Sequence, residues 1–589
     1  MGSPLFCWQG YLYVIEHGGS WGLGLSHRPS LDRCFWEAGG AKAMELVSPR
    51  LNLGTASYLR DYLQSRWPVK GSLAQIDEVL RAASRRWNVK LERRAVPPPL
   101  CSLPDEEEAG LVRRVLTGRV LLPEEVHRSL KENKVKLTHD LVDILHYLYL
   151  RGECELWPAV GFDDQGRPFC YRCGRRDKLF RATCGACESS DCYVCEGCLE
   201  MGEARTCRPL YARSGSKGLE IFGGQEIRPR FSVELTPAQK DAAWQARVFV
   251  EQGKEAHCLL WAACGAGKTE VTYEAMAAAL KRGCQVLYTC PRREVVKEIY
   301  VRLRQAFPEV KMALLHGESS QKYEQAEVVV ATTHQVLRFY RCFDLVIVDE
   351  ADAFPLDGDP GLYYAVKRSL RPSGKSLYLT ATPPAELALK ARLKQMPVIY
   401  LPARHHGYPL PEPRVIIERS LRTWGDKLSK QMAEALNLSL EQDRAAVMVF
   451  VPTVNLVLEV VGWLSRAWKA QGLKEWVKGV HAHYPRREEV VTAFRRGDFP
   501  VLVTTTLLER GITLPRLNVM VLFADHRRVF DTNTLVQIAG RAGRTAEYPQ
   551  ARVWFVAEKI TPEMAEARSL IRRFNYLAAQ KGYLRCRKD

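Results

Sequence analysis

The sequence predicts an α/β protein in which two tandem parallel-sheet lobes follow a small cysteine-rich module and a mixed N-terminal region. Three observations carry that expectation. From about residue 230, short β-rich apolar runs alternate with helical stretches, the pattern of a parallel sheet covered by helices on both faces. A proline-rich stretch at 402–413 interrupts the alternation, which then resumes. Eight of the 18 cysteines (Cys170, Cys173, Cys184, Cys187, Cys192, Cys195, Cys198 and Cys207) fall in one short segment.

The chain has 589 residues, enough for three to five domains at roughly 100–200 residues each. The expected division is an N-terminal region of unassigned role (1–160), the cysteine module (161–210), a first lobe (228–401), a connector (402–414) and a second lobe (415–589). Lys and Arg number 85 against 67 Asp and Glu, a net charge of +18. That surplus suits a polyanionic partner, because phosphate contacts release counterions. A merely basic soluble protein fits the charge equally well. No segment reaches the roughly 20 apolar residues of a membrane span, and no early run reads as a secretory signal. The expectation is a cytoplasmic protein without a transmembrane segment that can still lie peripheral to the inner face of the membrane.

Within 1–160, Pro97-Pro98-Pro99 and the acidic run 105–108 mark an internal break. Residues 121–149 read as two amphipathic helices, with Pro123 near the first start and Thr138 as cap of the second. No catalytic signature occurs here. In the cysteine module, the pairs Cys170/Cys173 and Cys195/Cys198 are two CxxC knuckles suited to a tetrahedral Zn²⁺. The gap between them slightly exceeds the roughly 15–20 residues usual for such sites. The insertion carries Cys184 and Cys187, which with Cys192 and Cys207 make a second set, cross-braced with the first. Iron–sulfur ligation is the competing metal reading, and free thiols the alternative for the second set.

In the first lobe the expected strands are 258–262, 285–289, 328–332, 345–348 and 376–380. The segment 262–269 follows the first of these and opens a helix, the context that makes a phosphate loop credible. Gly265 and Gly267 let backbone N–H groups turn toward phosphate oxygens, and the helix start near Lys268 points its positive end at the same anion. Cys264, Gly265, Ala266, Gly267, Lys268, Thr269 and Glu270 thus form the expected nucleotide cradle. Lys268 should reach the β- and γ-phosphates of ATP, and Thr269 should hold Mg²⁺. Ala262 stands where the motif's first glycine would be. Two strands later, an apolar run ends in Asp349-Glu-Ala-Asp352. Ligands bind beyond the carboxyl ends of such strands, so Asp349 is placed for Mg²⁺ and Glu350 to orient and deprotonate a water. Asp352 is placed to couple this site to its neighbours. In the second lobe the expected strands are 447–451, 477–481, 501–505, 519–523 and 552–556.

These motifs, in this order, resemble the superfamily 2 helicases, whose lobes are RecA-like. The resemblance implies the roles that follow. Thr236-Pro-Ala-Gln239 is similar to the element that reads adenine, with Gln239 as reader. Residues 289–292 and 331–334 resemble first-lobe segments that grip a strand, and Thr380-Ala-Thr382 the element linking hydrolysis to movement. Residues 504–513 resemble the motif touching both strand and nucleotide. Residues 537–544 resemble the arginine-finger helix, with Gln537, Arg541 and Arg544 acting on the γ-phosphate. Arg541 and Arg544 stand i and i+3, which on a helix would place them on one face. Strand contacts fall on Arg292, Thr332, Thr333, Thr504 and Thr505. Arg404, His405 and His406 read as a solvated part of the connector.

The cysteine module ahead of the motor, the flanks 195–202 and 209–211, Asp349-Glu-Ala-Asp-Ala-Phe-Pro355 and Pro402-Ala-Arg-His-His406 narrow the resemblance to the ComFA-type late competence DNA-uptake ATPases. It extends from about residue 165 to the end. It implies an ATP-, Mg²⁺- and Zn²⁺-dependent translocase on single-stranded DNA, powering import of transforming DNA through a membrane channel. It also implies a phosphoribosyltransferase-like operon partner and a recombinase loader. Three alternatives are set against it. A PriA-like replication-restart helicase carries its metal module inside the motor, whereas here the module precedes Lys268. A DEAD-box RNA-remodelling enzyme shares the letters 349–352 but not the cysteines. A DNA-binding scaffold with a dead motor conflicts with the presence of Lys268, Glu350, Arg541 and Arg544.

Overall fold

The computed structural model describes residues 9–585 except 69–71, 97, 99–101, 216–226, 320–322, 420–428, 470–475, 482–483 and 507–513. The last of these removes most of the expected segment 504–513 from description.

The N-terminal sheet is antiparallel, ordered Ser20–Ser26, Gln9–His17, Ala43–Leu46, Arg94–Ala95, with Leu51–Asn52 pairing the long strand Gln9–His17. Helices Pro29–Ala38, Leu53–Gln64 and Leu73–Trp87 are followed by three more around one apolar core. The acidic run forms a helix start: Asp105 caps Glu106–Leu116 through Glu108 N, and three glutamates fill the first turn, where the dipole favours them. The two helices expected within 121–149 are Pro123–Glu132, with proline in its first turn, and Leu141–Leu150. The second is capped by Asp140, which accepts from Val142 N at 2.8 Å, and not by Thr138. The Thr138 hydroxyl is engaged with Glu108 instead. Leu141–Leu150 packs Leu141, Val142, Ile144, Leu145 and Leu148 into the core. No described helix is long and apolar enough to cross a membrane.

The cysteine module stands on a three-stranded sheet, Arg119–Leu121, Pro209–Arg213, Glu155–Pro158, whose central strand closes the module. A buried triad ties it to the first lobe. Both Glu125 oxygens accept from Arg172 Nη2 at 2.9 Å, and Glu125 Oε1 also accepts from Arg338 Nε at 2.8 Å. Arg175 pairs with Asp359 at 2.6 Å. Cys170, Cys173, Cys195 and Cys198 share one apolar cluster with first-lobe residues such as Val336, Val346 and Leu362.

The first lobe is a seven-stranded parallel sheet ordered Met312–Leu315, Val328–Thr332, Val286–Cys290, Phe343–Val348, Leu370–Thr380, His257–Ala262, Val398–Leu401. The second is a six-stranded parallel sheet ordered Arg414–Ile417, Val553–Ala557, Leu517–Leu522, Ala446–Phe450, Val501–Thr504, Val477–Val480. Central strands of both are almost wholly buried, which is why they read as unbroken apolar runs. The α/β class with two parallel lobes is therefore as expected. The outer strands Met312–Leu315, Val398–Leu401 and Arg414–Ile417 were not anticipated from the sequence.

Candidate active site and metal centres

The phosphate loop leaves strand His257–Ala262 and enters a helix at Lys268. Gly265 and Gly267 have φ of 77° and 82°, the left-handed conformation that favours glycine. At Gly267 a Cβ would also stand 2.3 Å from Gln239 Nε2. Gln239 Nε2 donates to Ala266 O at 2.9 Å, and its Oε1 accepts from Thr236 N at 2.9 Å. Gln239 thus braces the loop from behind while capping its own helix.

Lys268 Nζ lies 4.0 Å from Asp349 Oδ1. Burial pushes the lysine down, but Asp349, Asp352 and Glu350 outweigh it and hold it above its ordinary value, charged. Burial raises Asp349 above the usual carboxylate range against the pull of Lys268. Asp349 accepts from Tyr288 OH and Glu350 N at 2.9 and 2.8 Å. Glu350 has φ 52°, uncommon for a residue other than glycine. Its Oε2 accepts from Cys290 Sγ at 3.8 Å and lies 3.9 Å from Arg292 Nε. The left-handed backbone turns this carboxylate off the strand end toward Cys290 and Arg292.

Asp352 joins the lobes. Its carboxylate accepts from Thr380 Oγ1 at 2.7 Å, Thr382 Oγ1 at 2.9 Å and, from the second lobe, Gln537 Nε2 at 3.2 Å. Cys264 Sγ lies 3.4 Å from Gln537 Oε1.

Helix Thr532–Ala539 ends before the two arginines, which corrects the expectation of a shared helical face. Arg541 and Arg544 lie in the following turns, with Gly543 at φ 62° reversing the chain. Arg541 is buried. Arg544 Nε donates to Gly540 O at 3.0 Å and lies 4.0 Å from where a Cβ on Gly265 would be. Two elements separate in sequence thus bring Arg544 beside the phosphate loop.

The connector also departs from expectation. Arg404 and His406 are 1% and 2% exposed, not solvated. Arg404 donates to Cys264 O in the first lobe and to Gly540, Ala542 and Gly543 carbonyls in the second. Burial pushes its guanidinium down to about 9. The residue stands in the Pro402–His406 stretch that carried the family resemblance, but nothing in that stretch shows its burial, and beside prolines and histidines it read as solvated.

Of the expected strand contacts, Arg292 and Thr505 keep accessible surface, and Thr332 a little. Thr333 and Thr504 have none, so their hydroxyls do not face a bound strand in this arrangement.

The eight cysteines gather into the two expected sets, Cys170/Cys173/Cys195/Cys198 and Cys184/Cys187/Cys192/Cys207, each with all sulfurs within 4.8 Å. Sulfur–sulfur separations are 3.8 and 3.5 Å in the first and 3.8 and 3.7 Å in the second. A tetrahedron with Zn–S arms of about 2.3 Å has edges of about 3.8 Å, so both sets fit the ion. Gly174, φ 72°, turns the first knuckle so that its N–H donates to Cys170 O at 2.7 Å.

Residues 236–389 match the DEAD/DEAH box helicase family, 428–546 the helicase conserved C-terminal domain, and 106–212 the competence protein ComFA N-terminal domain. Over 416 residues the chain is 35% identical to the competence protein ComFA of Bacillus subtilis strain 168, covering 70% of this chain and 86% of the relative. It is 35% identical to that of Streptococcus pneumoniae R6, covering 70% and 91%. This chain belongs to the ComFA family. The chain is a nucleic-acid-dependent ATPase of superfamily 2, with the helicase domains in both lobes. Among solved structures, S. cerevisiae Dbp5 bound to RNA and ADP BeF3 is similar at 18% identity and a TM-score of 0.40, over 60% of this chain and 94% of that one. The ComFA N-terminal match begins at 106, ahead of the cysteines, at the helix that Asp105 caps.

Proposed function

We propose that this ComFA-family chain hydrolyses ATP on single-stranded DNA and translocates along it, drawing transforming DNA inward from the cytoplasmic side of the membrane. Asp352 carries this reading. One carboxylate accepts from Thr380 and Thr382 in the first lobe and from Gln537 in the second, so closing the cleft and arranging the site are one event. In this reading the first lobe spans 228–401, the connector 402–414 and the second lobe 415–589. Lys268 binds the β- and γ-phosphates. Thr269 and Asp349 would hold Mg²⁺, which when bound neutralises phosphate charge. Glu350 orients the attacking water and takes its proton on a carboxylate oxygen. Arg541 and Arg544 supply positive charge as the transferred phosphoryl group becomes more negative. The cysteine sets would each hold one structural Zn²⁺, fixing the module as a rigid body. Arg292, Thr332 and Thr505 are the candidates for the phosphate backbone, which such contacts read without regard to sequence.

The test is steady-state ATP hydrolysis with no nucleic acid, single-stranded DNA, duplex DNA and RNA, with Lys268→Ala alongside. Strong stimulation by single-stranded DNA, little by RNA and none in the variant supports the reading. Equal or greater stimulation by RNA sinks it in favour of RNA remodelling.

A further inference from the structure

Arg404 is a buried cation whose four hydrogen-bond partners are all main-chain carbonyls. Nε donates to Cys264 O at 2.9 Å. Nη1 donates to Ala542 O at 2.6 Å and to Gly543 O, and Nη2 to Gly540 O at 3.0 Å. A buried guanidinium is expensive to desolvate, and carbonyl dipoles offset that less fully than a carboxylate does. The arrangement therefore stabilises the protein little for its cost. What it supplies is geometry: a planar fork with fixed donor directions.

Those directions meet the carbonyls in a telling place. Gly540 and Ala542 are the chain neighbours of Arg541, and Gly543 precedes Arg544. The turn from 540 to 543 faces three carbonyls to one point, helped by the left-handed Gly543. His406 adds a second donor, its Nε2 3.0 Å from Gly543 O, while its Nδ1 accepts from Tyr408 N at 3.0 Å. The fourth carbonyl, Cys264 O, belongs to the phosphate loop. Arg404 itself lies just past strand Val398–Leu401, whose Leu401 O accepts from Ala263 N at 2.9 Å, so it is anchored to the first lobe. Three of its four bonds exist only when the second lobe is closed on the first.

We propose that Arg404 is a positioning residue for ATP hydrolysis: on closure its guanidinium gathers the carbonyls of residues 540, 542 and 543 and so sets Arg541 and Arg544 against the phosphate loop. This rests on the reading that Arg541 and Arg544 act on the γ-phosphate. All four of its bonds go to main-chain carbonyls, so Arg404 acts through the loop it holds. A misplacement of about 1 Å at a reacting centre can cost about 10²-fold in rate.

The experiment uses the full-length protein with Arg404→Lys and Arg404→Met. Three quantities are read: DNA-stimulated kcat and KM for ATP, single-stranded DNA affinity without nucleotide, and lobe closure with ADP and beryllium fluoride, followed by energy transfer between one dye on each lobe. Both variants are expected to lose about 10²-fold in kcat, because lysine keeps the charge but not the fork. KM should move less than about threefold. DNA affinity should be unchanged and the closed energy-transfer state depleted. A folded variant with kcat within about threefold of the parent overturns the proposal. Arg541→Ala and Arg544→Ala separate the two failures. If they are inactive while Arg404→Met is active, the proposal fails and the arginine reading stands. If they are fully active, the arginine reading itself fails. Should Arg404→Met lose its fold, Gly540→Ala gives the second measurement. Its Cβ would stand 2.4 Å from Cys264 Cβ across the lobe junction, on ordinary helical backbone at φ −63°. It is expected to reproduce the loss of closure and kcat with DNA affinity retained, and unimpaired closure would overturn the contact on which the proposal rests.

Discussion

Glu125→Gln is expected to loosen the cysteine module from the first lobe by about 3–5 kcal/mol, the cost of removing one partner from a buried ion cluster. The magnitude follows from the surroundings. Glu125, Arg172 and Arg338 are all at most 6% exposed at the side chain, so water cannot take over the lost charge. Two guanidinium groups share the one carboxylate, and Glu125 Oε2 also accepts from Leu122 N at 3.1 Å. The neutral amide would leave two buried cations facing each other. Their coupling is visible in Glu125 itself: burial alone would raise it, yet Arg172 and Arg338 hold it below the usual carboxylate range. Arg172→Met removes one cation and leaves a one-to-one pair, so it should cost less. The assay is native-state hydrogen exchange on strand Ser189–Cys195 and on the 3₁₀ segment Thr333–Arg338. Protection of both should fall by about two to three and a half orders of magnitude in Glu125→Gln, since about 1.4 kcal/mol is a factor of ten. A fall below about fivefold, or equal losses in Glu125→Gln and Arg172→Met, would refute the reasoning.

Three other expectations are open to simple measurement. Metal analysis should find two zinc ions per chain, with Cys192→Ser retaining one and Cys195→Ser the other. Cys195→Ser should also lower the melting temperature of the first lobe, because its cysteine set shares that lobe's core, whereas Cys192→Ser should not. Gly267→Ala should weaken ATP binding measured by a fluorescent nucleotide, since φ 82° is strained for alanine and a Cβ 2.3 Å from Gln239 Nε2 would push aside the side chain that braces the loop. Acid should open the lobe junction at His406. Burial, with Arg404, His405 and Arg585, lowers it to about 4 against the Gly543 hydrogen bond. A histidine ordinarily titrates near 6.5, so the open state binds the proton more tightly between these values. Stability is full above about pH 6.5 and falls as pH drops toward 4, by up to about 1.4 kcal/mol per unit. His406→Gln should flatten that dependence of the melting temperature.

The sequence made the machinery of each lobe legible because local chemistry dictates it. A glycine-rich turn between strand and helix, or acids at the end of an apolar strand, carries its geometry with it. Asp349, Glu350, Lys268 and both cysteine sets come together as their spacing implies. Four-residue edge strands such as Val398–Leu401 were illegible because an apolar run that short also fits a helix or a loop. Arg404 was misread for a different reason. A charge beside histidines and prolines is solvated by default, and only carbonyls contributed by residues far along the chain make burial tolerable. The end of helix Thr532–Ala539 was missed likewise, because the sequence shows that Gly540 permits an ending but not that the next turn is wanted for carbonyl capture.

The triad and the Arg175–Asp359 pair weld the cysteine module to the first lobe. The module in turn holds the N-terminal region, through Gln9 Nε2 of the sheet donating to Cys187 O and Gly54 N of helix Leu53–Gln64 donating to Thr206 O, both at 2.9 Å. In an engine these parts are the stator. Whatever the N-terminal region is bolted to is bolted to the first lobe as well, and in the proposed cycle the recoil of each stroke would pass through Glu125 and the Arg175–Asp359 pair. In the proposed cycle the second lobe, hung on a proline-rich strap, is the armature, and the displacement of each stroke would be delivered there.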